Sequence, residues 1–209
     1  MKQLLIIISM FFCGMVSAQS KYEAAMARGL EQFKAAKTAD DMSAASAFFE
    51  RVADAEKDKW LPYYYAAYSN HLIGWMNPKA DKDKVAEKSK DLITKAEVIE
   101  HNNSEIYCLR QMVAIQQMTV DPMSRWQTYG AEGTRALESA TKADPNNPRI
   151  YFLNGQTLMN TPEAFGGGKA VAKKLFEKSL ELYKTFQPAS PFHPNWGKEE
   201  AEKLLAQCQ

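Results

Sequence analysis

One recurring motif limits the fold of this chain more than any other feature. Residues 96–107 read AEVIEHNNSEIY and residues 140–151 read ATKADPNNPRIY. In both copies an alanine ends an apolar helical pattern, Asn-Asn makes a polar turn, and Ile-Tyr opens the next helix. A unit of this kind cannot bury its apolar face alone. Copies must stack, so the chain is expected to form a run of helix pairs around one continuous core.

Pro, Asn, Asp and Gly punctuation divides the rest of the chain into amphipathic helical stretches, and no period-two segment marks a strand. The first pair is expected over 21–37 and 41–57, and the second over 61–75 and 81–100. The third is expected over 104–118 and 122–143, with Asp121-Pro122 as cap and first turn, and the fourth over 148–159 and 169–186. A Pro-rich crossing then leads to a last helix over 198–206. The fold class is therefore all-α: about four antiparallel helix pairs in a right-handed α-solenoid, closed by a C-terminal capping helix.

The N-terminus carries a different signal. Lys2, the apolar run from Leu4 to Cys13 and the small-residue end Val16-Ser17-Ala18 read as a secretory signal, residues 1–18, cleaved between Ala18 and Gln19. Lipidation at Cys13 is the rival reading, although the residues before it are bulkier than a lipid-attachment site favours. Residues 19–209 then form a single exported domain, periplasmic or extracellular, with no integral membrane segment. The full chain has a net charge of +1, and losing Lys2 brings it to zero. No basic surplus exists for nucleic acid or anionic lipid. Cys108 and Cys208 remain, too few for a disulfide framework, though an oxidising compartment leaves a bridge between them open.

The residues at the helix pairs resemble the tetratricopeptide (TPR) repeat family. Tyr151 and Gly155 match its aromatic and small residue on the first helix, and Ala172, Phe176 and Ser179 its small, large and small positions on the second. The preceding second helix supplies Gly133, Leu137 and Ala140, then Pro145 at the turn. A weaker copy has Ser89, Ile93 and Ala96, with His101 where the proline would stand, followed by Tyr107 and Gln111. The spacing departs from the family: Tyr107 to Tyr151 is 44 residues, against a repeat of about 34. In the fourth pair the excess shows as the loop 160–168. Its Pro162-x-x-Phe165-Gly-Gly insert is similar to one in helical-repeat accessory components of TRAP transporters.

The family's register implies an inner groove lined by Tyr63, Ala66, Asn70 and Ile73; Glu105, Cys108, Met112 and Ile115; Arg149, Phe152, Gln156 and Met159. Such a groove is more apolar than one gripping a charged peptide terminus, and the segment 186–196 is long enough to reach back across it. No catalytic constellation can be assembled. Gly166-Gly167-Gly168-Lys169 lacks the Walker spacing, the histidines His71, His101 and His193 lack metal-ligand spacing, and no nucleophile elbow occurs. The expectation is a non-enzymatic exported adaptor or scaffold that binds a protein or peptide, without cofactor or metal. The alternative is a small-ligand-binding accessory to an envelope transporter, which could hold an apolar ligand.

Overall fold

A computed structural model describes residues 21–208. The expected signal segment, its Ala18–Gln19 cleavage point and Cys13 lie outside the described residues. The described chain is all-helical, with no strand in it. We number the helices α1 (21–35), α2 (Ala39–Ala55), α3 (Trp60–Met76), α4 (Lys82–Ile99), α5 (Ser104–Met118), α6 (Pro122–Arg125), α7 (Ala131–Ala143), α8 (Pro148–Met159), α9 (Lys169–Tyr183) and α10 (Lys198–Ala206).

Local chemistry sets these boundaries. The second asparagine of the recurring motif is the N-cap of the next helix in both copies: Asn103 accepts from the amides of Glu105 and Ile106, and Asn147 from that of Arg149. Thr38 and Asp41 form a reciprocal capping box at α2, and Asp81 caps α4. Each such cap contributes about 1 kcal/mol. Pro122 and Pro148 stand in first turns, where no amide hydrogen is needed.

Short turns make successive helices antiparallel, and α2, α3, α4 and α5 pack in series, as do α8, α9 and α10. One apolar cluster runs from α1 to α5 and a second joins α5 to α8, α9 and α10, with Met112 touching both. Glycines bring paired helices close at both ends of the molecule. A Cβ on Gly29 would fall 2.5 Å from the Phe49 ring, and one on Gly155 would fall 2.7 Å from Phe176. Phe49 and Phe176 are fully buried plugs, each worth roughly 1.5–3 kcal/mol of apolar burial.

Two boundaries differ from the sequence reading by more than two residues. The helix expected over 122–143 is broken by a π-helical turn, Trp126–Gly130, between α6 and α7. Helix α9 stops at Tyr183, which lengthens the crossing toward α10 to residues 184–197. The wide loop contains a 3-10 turn, Glu163–Phe165, and Gly168 starts α9 at φ 100°, a conformation that disfavours side chains.

Candidate functional site

The crossing segment 184–197 lies over the first halves of α3 and α8, held by groups with fixed roles. Tyr65 Oη donates to the Phe192 carbonyl at 3.0 Å, and Tyr183 Oη donates to the Trp196 carbonyl at 2.6 Å. Trp196 Nε1 donates to Tyr64 Oη at 3.0 Å, and its ring lies 5.5 Å from Tyr68 and 6.3 Å from Phe152. His193 packs edge-on against Trp60 and shares a 2.7 Å hydrogen bond between Nδ1 and Ser190 Oγ. Gly197 closes the crossing at φ 101°; a Cβ there would also fall 2.6 Å from Tyr183 Oη. Burial pushes the Tyr64, Tyr65 and Tyr183 hydroxyls well above the ordinary phenol range, so all three keep their protons.

Beneath the crossing sits a buried ion pair. Arg149, with no exposed surface, donates from Nε to Glu105 Oε2 at 2.6 Å and from Nη2 to Glu105 Oε1. Its Nη1 donates to the Trp196 carbonyl at 3.2 Å, and the guanidinium lies over the Phe186 and Trp196 rings. Asn147 donates to the same carboxylate at 2.8 Å. Burial alone would lower the Arg149 pKa, but the charge and hydrogen bonds of Glu105 outweigh it and hold the pKa above the usual arginine value. A buried charge this well satisfied anchors the crossing rather than waiting for a ligand.

The residues expected along the groove separate into several surroundings. Glu105, Arg149 and Phe152 lie under the crossing, and Cys108 is a fully buried thiol beside them, its pKa raised chiefly by burial. Met112 bridges the two apolar clusters and Met159 packs on the second. Ile73 is half-buried and Gln156 is exposed. Ile115 turns instead toward Gly133 of α7. On α3 the structure departs from the expected register. Asn70 donates from Nδ2 to the Val85 carbonyl and Ser89 Oγ of α4, and Tyr63 lies beneath the Lys95 ammonium of α4. Ala66 is fully buried. Trp60, Tyr64, Tyr65 and Tyr68, not Tyr63, are the α3 residues that meet the crossing. The run of adjacent tyrosines fits either register, and only Asn70, a polar residue needing partners, discriminates between them.

Where the crossing meets α1 it forms one wall of an open cleft of about 640 Å³. Ala27, Leu30, Glu31, Lys34 and Ala35 supply the α1 wall, and Pro191 and Phe192 the other. Phe192 is fixed from behind by an edge-on contact with Tyr22 and by the Tyr65 hydrogen bond to its carbonyl. The cleft is apolar, with one cation and one anion on its rim, and its volume suits a sizeable organic ligand. The sequence reading missed it because the repeat was not carried into α1. Gly29 opposes Phe49 as Gly155 opposes Phe176, but that packing marks the helix pair and not the recess beside it.

Among the described residues, no group of His, Cys, Asp and Glu is placed to hold a metal ion. His71 is buried, accepts from Trp75 Nε1 at 3.2 Å, and has its pKa pushed down to about 4 by burial. His193 is committed to Ser190, and His101 is exposed at the α4–α5 turn. No helix among the described residues is long and apolar enough to cross a membrane.

Comparison with protein-family models found no match, and neither did comparison with curated proteins. Among solved structures, the chain is similar to the HusA haemophore from Porphyromonas gingivalis, with a TM-score of 0.82 and 37% identity. The match covers 90% of this chain and 92% of that one. Agreement of sequence and fold over nearly the whole of both chains places this protein in the HusA haemophore family.

Proposed function

We propose that this protein is an exported carrier that binds haem, holding it in the cleft between α1 and the crossing segment. The observation that carries the reading is the 37% identity to a haemophore across 90% of the chain. The cleft chemistry agrees with it. Haem is a broad apolar plate with two carboxylates on one edge, and the cleft offers Leu30, Ala27, Ala35, Pro191 and Phe192 to the plate and Lys34 to a carboxylate. The adaptor reading of the sequence needs an open concave face. The crossing segment covers the first halves of α3 and α8, which favours a small-ligand carrier over a peptide-binding scaffold. We take the helical stack itself to be a TPR-like right-handed solenoid whose groove is partly filled by its own chain.

Absorbance titration with haem tests the reading. The expected result is a saturable Soret change, weakened at least about tenfold by Ala27→Glu, which sets a carboxylate into the apolar wall from an exposed helical position. A linear, unsaturable Soret response would refute the carrier reading. Saturable binding unaffected by Ala27→Glu would move the site elsewhere.

A further inference from the structure

The charged residues in the wall of the α1 cleft are Glu31 and Lys34, three positions apart on one helix. That spacing makes them neighbours on the helix surface, with about 5–6 Å between Cβ atoms. Both are exposed, and neither forms a hydrogen bond or ion pair among the described residues. The facing wall, Pro191 and Phe192, carries no charge. Other cations do not join Lys34. Arg28, nearly one turn before Glu31, lies over the Phe48 ring of α2, and Lys37 stands beyond the helix end, outside the lining. His193 of the crossing packs on Trp60. Helix α1 ends at residue 35, so its last carbonyls add partial negative charge beside Lys34.

This rim has the wrong charge count for a ligand that presents two carboxylates side by side. Lys34 pairs with one of them. The neighbouring charge on the α1 wall is Glu31, and a second carboxylate placed there meets a like charge with no cation between them. Left in water, that carboxylate keeps its hydration and avoids the repulsion. The apolar plate still fills the cleft when a single carboxylate stays at the wall.

We propose that Glu31 is a specificity-determining residue of the cleft: it admits one carboxylate of the ligand, at Lys34, and turns a second one out into solvent. This rests on the haem reading of the cleft and adds to it the orientation of the bound plate. One propionate is held against α1, and the other stays accessible at the open mouth.

Absorbance titrations with haem and with its monomethyl ester, which keeps one carboxylate, test the assignment. The wild type should bind the two within about twofold of each other, because the second propionate makes no favourable contact. Glu31→Gln should tighten haem by about two- to fivefold, and Glu31→Lys, which sets a second cation beside the first, by at least about fivefold. The ester should gain about twofold or less in either variant, so Glu31→Lys should prefer haem over the ester by at least about threefold. Glu, Gln and Lys have similar helix propensities and the position is exposed, so urea melts of both variants should match the wild type. A wild type that binds the ester at least about fivefold more weakly than haem would show both propionates held, and would overturn the proposal. Equal gains for haem and ester in Glu31→Lys, or no gain for either, would also overturn it. Ala27→Glu in the same titrations separates the two readings. If it weakens haem while the Glu31 variants leave the haem-to-ester ratio unchanged, the cleft stands and the role of Glu31 falls; if it has no effect, both fall.

Discussion

Replacing Glu105 with leucine isolates the anchor of the crossing segment. The substitution removes both charge-assisted hydrogen bonds to Arg149 and one acceptor of Asn147, leaving a fully buried guanidinium with a single carbonyl, that of Trp196, and two aromatic faces. Breaking one side of a buried pair costs about 3–5 kcal/mol. Because 13% of the Glu105 side chain is exposed and water can reach Arg149 once it is gone, the lower end applies, about 3 kcal/mol. For a domain of this size that corresponds to a fall in Tm of roughly 6–12 °C and, with an m-value near 2–3 kcal/mol/M, a urea midpoint lower by about 1 M. The double variant Glu105→Leu/Arg149→Met removes the stranded charge, and most of the stability should return. Urea melts of the wild type, both single variants and the double variant form the assay. A loss below about 1 kcal/mol for Glu105→Leu, or a double variant no more stable than the worse single one, would refute the reasoning.

His71 titrates in the native state near 4, below its ordinary value near 6.5, so the unfolded chain binds more protons between these limits. Stability should therefore be full above about pH 6.5 and fall as pH drops toward 4, by on the order of 3 kcal/mol. His193, also lowered by burial, adds in the same direction. Urea midpoints at pH 7 and 4.5 should converge markedly in His71→Gln, and an unchanged pH slope would contradict the assignment. Lys34→Ala should weaken haem binding up to about fivefold while leaving the dimethyl ester of the same porphyrin unaffected, since an exposed ion pair contributes at most about 1 kcal/mol; equal losses for both would show that the lysine does not meet the carboxylates. Cys108 and Cys208 are both buried and free, and iodoacetamide at pH 8 should label neither until urea unfolds the protein; rapid native labelling would contradict the packing of α10.

The helical order was legible because caps and breakers act locally: Asn103, Asn147, Asp121 and the two first-turn prolines set boundaries that tertiary context left in place. The π-helical turn at Trp126–Gly130 was not legible. Its sequence supports an ordinary helix, and the Arg125–Asp83 ion pair to α4 that tethers the preceding turn is long-range. The crossing segment could be seen as long enough to cover the groove, but its partners Tyr64 and Tyr65 lie far away in sequence. The α1 cleft was invisible for a related reason. Ala27, Leu30 and Ala35 read as an ordinary apolar helix face, and only the arrival of Pro191 and Phe192 turns that face into a recess.

Hydrogen–deuterium exchange with and without one equivalent of haem tests the central claim most directly, because it reports both binding and place. The account requires added protection in residues 27–35 of α1 and 190–193 of the crossing, with little change in α4 and α7. Protection confined to other segments, or none at a haem concentration that saturates the Soret signal, would contradict it.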